Sequence, residues 1–328
     1  MKYGVIGTGY WGSNHVRVAA ELLNAGMIES LTLCDIDNNR VAALADTYDV
    51  DFVEDYRDLP NIGIEAVSIA TPSTTHRDIA VFLLKNDINV LVEKPIALNT
   101  EDAWEIVDVA DEENMIVCVG HIFRYHPALI ELKRRIHAGE IGKIKYMQSS
   151  RFSFRVPRDS VGALYSLAVH DVDISNYLLE GRPTSVYAKL DSVIKESVDE
   201  TASLVLNYEH ATSIINNSWQ IPVFGKKRDL ILIGSQRSAY IDYLNHDVLE
   251  IFENRVVESG NELHLVNEGS QIYNLESEEP LKREIKDFIN SVECKRTPIA
   301  SGKIGAETIE ILERAELSHR NNRVEILD

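Results

Sequence analysis

The chain has 328 residues, 45% of them hydrophobic, so two domains with separate cores are the natural expectation. Lys and Arg total 33 against 52 Asp and Glu, a formal net charge of −19. Such an acidic chain argues against nucleic acid and anionic membranes as partners, because both require positive surface. Small anionic ligands stay open, since a local basic pocket can bind them.

Neither a membrane anchor nor a secretion signal is expected. No apolar run approaches the ~20 residues of a membrane span, and the first residues lead directly into a predicted strand. Cys34, Cys118 and Cys294 are far apart in the sequence and form no C-x-x-C motif. We therefore predict reduced, mostly buried cysteines in a cytoplasmic protein.

The first chemical signal is a glycine-rich motif. A short apolar strand at residues 2–6 leads into the G-x-G-x-x-G run of Gly7, Gly9 and Gly12. Gly7 permits the tight turn, Gly9 lets the backbone approach a pyrophosphate, and Gly12 lets the next helix pack closely. Asp35 ends a second strand about 20 residues on, where a carboxylate binds the adenine ribose. The pattern predicts a dinucleotide site, rather than a turn without a ligand, at Gly7, Thr8, Gly9, Tyr10, Trp11, Gly12 and Asp35.

Asp35 also bears on the choice of cofactor. Its charge would repel a 2′-phosphate, which favours NAD over NADP. Arg40 is near enough in the sequence to leave NADP open, although a surface arginine at the start of the next helix is the preferred interpretation.

The first half of the chain alternates helices with apolar runs. Strands are predicted at 66–70, 89–93 and 115–119, and helices at 39–48, 76–86 and 100–113, the last with Thr100 as N-cap. Buried runs separated by helices predict a doubly wound parallel sheet, whose ligands lie at the carboxyl ends of the strands. We assign residues 1–120 to a Rossmann domain.

From residue 144 the strands become longer and more polar. They are predicted at 145–154, 185–190, 201–208, 212–219, 228–233 and 239–242, with helices at 171–179, 281–293 and 305–320. This pattern predicts a second, α+β domain at 121–328 with an open, mostly antiparallel sheet, for substrate binding and oligomerisation. The C-terminal helices are free to pack back on the first domain.

Lys94 follows a buried strand in the triplet Glu93-Lys94-Pro95. Burying an ammonium group costs free energy unless the group is paired, so a lysine at this position is more typical of a catalytic or binding role than of a stabilising one. Beside a nicotinamide it would hold a substrate hydroxyl and stabilise a developing alkoxide. The triplet alone favours equally a non-catalytic lysine whose side chain extends from the end of the sheet into solvent.

His170 and Asp173 are spaced i, i+3 at the start of a helix and share one face. Imidazole is the side chain best suited to take a hydroxyl proton near neutral pH. A capping or core histidine is the alternative.

Another mixed cluster, at 120–127, contains two histidines and an arginine at the predicted domain junction. Its spacing does not match a metal site, and no metal is predicted.

These motifs occur in the same order in one family. The chain resembles the glucose–fructose oxidoreductase, inositol dehydrogenase and MocA (Gfo/Idh/MocA) family over nearly its whole length. The resemblance implies an NAD(P)-binding Rossmann domain, a sugar- or cyclitol-binding second domain, and Lys94 and His170 flanking the reacting hydroxyl. It also implies a homodimer or homotetramer formed through the open sheet face. Further implied cofactor contacts are Ala70, Thr71, Pro72, His76, Glu93 and Lys94.

The runs at 120–128 and 218–222, with those at 226–228 and 239–243 that follow, resemble the nucleotide-sugar branch of this family. Members of that branch oxidise the C3 hydroxyl of UDP-N-acetylglucosamine or its uronate, and the resemblance implies such a substrate for this chain. The alternative for this chain is inositol or a free sugar. A diphosphate would suit the basic run at 226–228, and a solvated hairpin is the equal alternative. Arginines 124, 151, 155 and 158 lie on the segments that enter the same domain, and we expect some of these basic residues to line the mouth of the substrate cleft. Predicted substrate contacts are Arg124, Tyr125, Arg155, Arg158, Ser166, His170, Lys227 and Arg228.

One position departs from the family pattern. Many members carry an aspartate four residues before the histidine, where this chain has Ser166, and Ala168 replaces the usual glycine. A serine cannot orient an imidazole as a carboxylate does, so Asp173 or Lys94 would take on more of the task. A cofactor-binding sensor without turnover also stays open, but the presence of Lys94 and His170 favours an enzyme.

Overall fold

The computed structural model describes residues 1–157, 161–222, 225–245, 247–260, 262–276 and 278–327. They form two compact units. The first contains Met1–Ile122 and Glu279–Glu310, and the second contains Phe123–Glu278 and Ile311–Asp328. Two separate stretches of the chain therefore build each unit.

Helices and strands alternate along the first part of the chain, and strands dominate its second half. The α-helices of the described residues are α1 Gly12–Asn24, α2 Asn38–Tyr48, α3 His76–Leu84, α4 Thr100–Glu113, α5 Pro127–His137, α6 Val169–Leu179, α7 Pro280–Cys294 and α8 Gly302–Asn321. The first strands are β1 Lys2–Ile6, β2 Ser30–Cys34, β3 Asp51–Val53, β4 Ala66–Ile69, β5 Asn89–Val92 and β6 Val117–Val119. The others are β7 Ile144–Ser153, β8 Ser185–Asp191, β9 Thr201–Asn207, β10 Thr212–Ser218, β11 Lys226–Gly234, β12 Ser238–Asp242, β13 Val248–Phe252, β14 Arg255–Ser259, β15 Glu262–Val266, β16 Ser270–Asn274 and β17 Glu325–Ile326.

The first unit is built on a six-stranded sheet in the order β3-β2-β1-β4-β5-β6. All of its pairings are parallel. The residues of β4 are all buried, as a parallel strand covered on both faces requires. The predicted doubly wound sheet is confirmed, and its order reverses beside β1, where such sheets bind ligands.

Helix α4 begins at the predicted residue, but its cap is one residue earlier. The Asn99 side chain accepts a hydrogen bond from the Asp102 N–H at 2.8 Å, and Thr100 is the first helical residue. The prediction of Thr100 as N-cap is therefore wrong. Two suitable capping residues stand side by side, and asparagine caps helices better than threonine does.

The second unit contains a nine-stranded sheet in the order β16-β13-β12-β11-β7-β10-β9-β8-β17. Only the β10–β7 pairing is parallel among those described, so the predicted mostly antiparallel sheet is confirmed. Strands β13 to β17 were not predicted. Strand β15, which pairs with β14 in a separate two-stranded sheet, has four of its five residues exposed and lacks a buried face that would mark it in the sequence.

Helices α5 and α6 pack on one face of this sheet. Their apolar residues, including Leu132 and Ile174, share a buried core with Met147, Leu230 and Ile241 of the strands. Helix α6 is preceded by a π-helical turn, Leu164–Ala168. Such turns interrupt the regular ladder and are frequent at functional sites.

None of the helices among the described residues combines the length and the apolar character needed to span a bilayer. Cys34 and Cys118 are buried and Cys294 is exposed, in line with the predicted mostly buried cysteines.

Asp199 supports the entry into the π-helical turn. Its Oδ2 accepts a hydrogen bond from the Leu164 N–H at 2.7 Å, and an added Cβ at Gly162 would lie 1.7 Å from its Oδ1. Burial raises the pKa of this carboxyl to about 6, and the charge of Glu316 adds to the effect. Between its ordinary pKa near 4 and about 6, the folded chain holds a proton that the unfolded chain releases. Stability should therefore fall as pH rises through this window.

We expect Asp199→Asn to raise the thermal midpoint at pH 7.5, because the amide oxygen still accepts the bond and the buried charge is gone. The gain should be of the order of 2 kcal/mol and should vanish near pH 4. Thermal melts across this pH range check it, with exposed Asp191→Asn as the control. A variant that is less stable than the native protein at pH 7.5 would contradict the assignment.

Candidate active site

The glycine-rich loop between β1 and α1 is packed at both ends and open in the middle. Gly7 has a φ of +86°, and an added Cβ there would lie 2.8 Å from the Ala70 carbonyl. At Gly12 it would lie 1.8 Å from the Gly7 oxygen, whereas at Gly9 it would meet no described atom within 4 Å. No described side chain caps the start of α1. The backbone is thus accessible where a pyrophosphate would lie, so the loop fits a dinucleotide.

Asp35 lies at the carboxyl end of β2, beside this loop. Its Oδ2 accepts hydrogen bonds from the Thr8 N–H at 2.6 Å and the Thr8 hydroxyl at 2.8 Å. The Asp37 N–H donates to Oδ1 at 2.9 Å. Burial opposes the charged form, but the bonds from Arg40, Asp37 and Thr8 outweigh it and lower the pKa of Asp35 to about 2. Asp35 is therefore a fixed negative charge at the loop.

Arg40 lies at the start of α2, as predicted, but it is more than a surface arginine. Its Nη2 donates to Asp35 Oδ1 at 2.8 Å, and its Nε lies 3.3 Å from Oδ2. It also pairs with Asp37. The carboxylate that would bind a ribose therefore carries a cation beside it, so the preference against a 2′-phosphate depends on both charges.

The ends of β4 and β5 are joined through a buried histidine. The ring nitrogens of His76 lie 2.9 Å from the carbonyl oxygens of Thr71 and Pro95. Burial lowers the pKa of this imidazole. His76 thus positions Thr71, Pro72 and Pro95 from behind and has 1% of its surface exposed.

Glu93 forms the centre of a cluster of donors at the end of β5. Its Oε1 accepts from the Trp11 indole at 2.6 Å and lies 3.0 Å from His15 Nε2. The Lys94 N–H donates to its Oε2 at 3.2 Å, and an added Cβ at Gly120 would lie 2.8 Å from the carboxylate. Burial acts to raise the pKa of Glu93, but His15, Lys94 and Trp11 outweigh it and lower that pKa. The carboxylate is held charged, in contact with the backbone of half-buried Lys94.

His170 lies in the first turn of α6 in the second unit. Its ring packs edge-on against Phe123, with ring centres 5.0 Å apart. The next residue, Asp171, accepts bonds at 3.0 and 2.9 Å from the Nε of Arg151 on β7. The Arg151 guanidinium also lies 4.2 Å from the centre of the Phe123 ring. A buried ion pair and an aromatic ring therefore fix the turn that carries His170.

Asp173 and Arg124 form a second buried pair on α6. Arg124 donates to Asp173 Oδ1 through Nε at 2.8 Å and Nη2 at 2.7 Å. Its guanidinium also lies 5.0 Å from the centre of the Tyr177 ring. Neighbouring Tyr125 has 2% of its surface exposed. The pair links Arg124 to α6, and Tyr125 is buried next to Arg124 in the sequence.

The basic run at 226–228 is divided between two faces of the sheet. Lys227 pairs with Asp229 at 3.1 Å on the face opposite the helices. Arg228 lies on the other face, in line with buried Leu230 and Leu232. The prediction of one dense cluster is wrong, because successive strand residues point to opposite faces. Exposed Lys226 and half-buried Arg228 therefore share the face of α6, and Lys227 lies on the opposite face.

Three further predicted residues have different environments. Arg155 is exposed, and its guanidinium lies 4.5 Å from the centre of the Trp219 ring. The Ser166 hydroxyl donates to the Gly162 carbonyl at 2.7 Å, within the π-helical turn. Arg158 lies outside the described residues.

Sequence reasoning left several residues out of the predicted site. His15 is one turn beyond the glycine-rich motif and 0% exposed, but its spacing alone gives no partner. Arg151 was predicted only as one of four arginines that enter the second domain, and Asn217 was not predicted, although strand alternation gives the face of both. Arg151 is an even number of residues from buried Met147 on β7, and so is Asn217 from buried Ile215 on β10, so both point to the core face of the sheet. A polar side chain on that face is unusual and indicates a specific role. Among the described residues, no group of three or more His, Cys, Asp and Glu could hold a metal ion.

Two family models match the chain. The model described as the GFO/IDH/MocA oxidoreductase family, NAD-binding Rossmann fold, matches residues 1–121. The GFO/IDH/MocA C-terminal domain model matches residues 129–240. The predicted family and NAD-binding fold are confirmed.

Individual relatives include enzymes with different substrates. The chain is 27% identical over 317 residues, 94% of each protein, to a UDP-N-acetylglucosamine 3-dehydrogenase of Acidithiobacillus ferrooxidans. It is 28% identical over 284 residues to an NAD-dependent scyllo-inositol 2-dehydrogenase of Bacillus subtilis, covering 83% of this chain and 80% of that one. A solved structure of the Acidithiobacillus enzyme superposes with a TM-score of 0.83 at 23% identity over 97% of each chain, which supports the fold.

The glycine-rich loop, the Glu93-Lys94-Pro95 strand end and the helix of His170 thus occur in a chain that family models match along most of its length. The chain belongs to the GFO/IDH/MocA oxidoreductases, a family of NAD-dependent sugar and inositol dehydrogenases.

Proposed function

We propose that this protein oxidises the C3 hydroxyl of a UDP-N-acetylhexosamine or its uronate with NAD. The observation that carries the proposal is the 27% identity to the Acidithiobacillus 3-dehydrogenase, which extends over 94% of both chains. The matches to the nucleotide-sugar branch at 120–128 and 218–222 support it. The relationship to the inositol dehydrogenase is of similar strength, which makes inositol or a free sugar the second candidate.

The residues that would hold the cofactor belong to the first unit. The open backbone at Gly9 and the uncapped start of α1 suit the pyrophosphate, and Asp35 suits the adenine ribose. Thr8 and Arg40 fix that carboxylate, and His76 supports the loop at Thr71 and Pro72. The chemistry that NAD supplies when bound is acceptance of a hydride from the carbon that bears the hydroxyl.

The protein itself must remove the hydroxyl proton and align the reacting carbon. We assign the imidazole of His170 as the base that takes this proton. The Lys94 ammonium donates a hydrogen bond to the same oxygen and stabilises the charge that develops there. Asp173 has a supporting role, because Arg124 occupies its carboxylate.

The face of the second sheet opposite the helices suits association with a second copy. It exposes apolar side chains, with Ile231 38% and Ile233 41% exposed. We propose a homodimer or homotetramer through this face. The cytoplasmic location stays a prediction from the sequence.

We expect NAD to bind more tightly than NADP. Asp35→Ala should reduce the ratio of the NADP and NAD dissociation constants by about tenfold or more. The variant removes the repelling charge and frees Arg40 to bind a 2′-phosphate. Direct titration of both cofactors measures the effect. The double variant Asp35→Ala/Arg40→Ala should recover part of the preference for NAD over NADP, because the arginine that would bind the 2′-phosphate is then absent. A native protein that prefers NADP would show that Asp35 has been misassigned.

Lys94→Ala should lower turnover by several orders of magnitude while the affinity for NAD changes little. His170→Ala should lower it about 10²–10⁴-fold, the usual effect of losing a positioned base. The exposed residues Lys85 and His137, also changed to alanine, are the matched controls and should leave turnover near the native value. Steady-state rates and NAD titrations check these expectations. Near-normal rates in both test variants would remove the two residues from the mechanism.

The substrate class is tested by comparing UDP-N-acetylglucosamine, its uronate, myo-inositol and glucose side by side. We expect turnover with the UDP-sugars, and thermal stabilisation by them as well, because a ligand that binds only the folded protein raises its midpoint. Turnover of inositol or glucose alone would favour the second candidate. NAD binding with no turnover of any compound would favour a sensor.

A further inference from the structure

Four polar side chains cross adjacent strands of the second sheet. Arg228 of β11 is paired in register with Arg151 of β7, and Arg151 with Asn217 of β10. Tyr243 follows β12, and its N–H donates to the Arg228 carbonyl at 2.9 Å. We call Arg228, Arg151, Asn217 and Tyr243 the polar row.

The polar row lies on the face that carries α6. Arg151 bonds Asp171 of that helix. Asn217 is two residues from Ile215 and four from Ser213, whose hydroxyl lies 2.9 Å from the hydroxyl of Ser175 on α6. Tyr243 belongs to the core shared with α5 and α6. The row is therefore beside the helix that presents His170, and away from the open face.

Positive charge in this region exceeds negative charge. The carboxylate of Asp171 is bonded to Arg151, while half-buried Arg228 makes no ion pair with any described residue. Burial lowers the pKa of Arg228, and the charges of Arg151 and Arg155 lower it further, against Asp171. An unpaired, partly buried cation destabilises a folded protein, so a purely structural role does not account for it.

The same region contains buried polar atoms without partners. Within the described part of the chain, the Arg151 Nη2, both polar atoms of the Asn217 side chain and the Tyr243 hydroxyl have no hydrogen-bond partner. These three side chains are 2%, 0% and 2% exposed. Buried polar groups are normally satisfied. Donors with excess positive charge suit an anionic oxygen group, which charge-assisted bonds hold strongly.

The polar row is also close to the proposed base. The Phe123 ring lies between them, 4.2 Å from the Arg151 guanidinium and 5.0 Å from the His170 ring. We propose that the polar row binds an anionic oxygen group of the substrate, a carboxylate or a phosphate. The proposal rests on the proposed function for the sugar substrate and for the role of His170.

Arg228→Gln is the central test, with Lys227→Gln as the matched control, because the two lose equal charge from neighbouring residues on opposite faces. Binding to the NAD-loaded protein is measured by calorimetry with UDP-N-acetylglucosamine, its uronate, free N-acetylglucosaminuronate and N-acetylglucosamine. Arg228→Gln should weaken the anionic ligands about 10–100-fold and reduce the salt dependence of their binding. Lys227→Gln should change them by less than about twofold. Arg228→Lys, which keeps the charge but loses the planar fork, should be intermediate.

The ligands distinguish the two sources of the anion. If the group is the ring carboxylate, the loss appears with both uronates and not with UDP-N-acetylglucosamine. If it is the diphosphate, the loss is equal for the two UDP-sugars and absent for the free uronate. Both results support the proposal and identify the source.

A measurement without ligand tests the charge argument. Arg228→Gln should raise the thermal midpoint of the apo protein, since it removes repulsion with Arg151 and Arg155. Lys227→Gln should not, since it breaks the pair with Asp229. Equal affinities for the two glutamine variants with every anionic ligand, or a lower midpoint for Arg228→Gln, would overturn the polar row as an anion site. Turnover of the UDP-sugars would then still stand, so the two proposals fail separately.

Discussion

The charge on Glu93 is the constraint on which the first unit depends. A carboxylate loses much of its hydration when buried, and it stays ionised only if nearby groups replace that hydration. In this protein the groups come from three parts of the chain, namely Trp11 in the glycine-rich loop, His15 on α1 and the backbone of Lys94. The loss of one donor would cost more than one hydrogen bond, because a charged group would be left underpartnered. One carboxylate therefore connects the cofactor loop to the strand end that carries the proposed catalytic lysine.

The second unit shows the opposite electrostatic situation. Arg124 and Asp173 satisfy each other, and so do Arg151 and Asp171 through the Nε of the arginine. Arg228 has no such match among the described residues. Residues that serve a ligand rather than the fold often reduce stability, and this contrast is consistent with the recognition role that we propose for Arg228. The acidic composition of the chain makes a local cationic excess more notable, because the long-range field of the protein repels anions.

Much of the fold could be predicted from the sequence where local signals and tertiary demands agree. The residue types of several elements match the environment that those elements have in the structure. Examples are the glycine-rich loop, the buried strands β4 and β5 and the alternating strand β9. Exposed strands such as β15 show no such match. At α4 two good capping residues, Asn99 and Thr100, stand side by side, and the small difference in their capping preference is a weak guide to where the helix begins.

The site was less predictable because its key contacts join distant parts of the chain. The bond from His15 to Glu93 spans 78 positions, and that from Arg151 to Asp171 spans 20, so neither follows from spacing. The basic run at 226–228 shows a different difficulty, since charges that are adjacent in the sequence are separated by the sheet. Successive charged residues of a strand point to opposite faces just as successive apolar residues do.

That division has a consequence for how this strand can change over evolutionary time. Inserting or deleting one residue between Arg228 and Leu230 would move Lys227 to the helix face and Arg228 to the open face. The composition would hardly change, yet the guanidinium beside Arg151 would be exchanged for an ammonium or an aspartate. Point substitutions at either position alter one surface, whereas a change in length alters both together. The length of this strand should therefore be under stronger selection than the identity of most of its exposed residues.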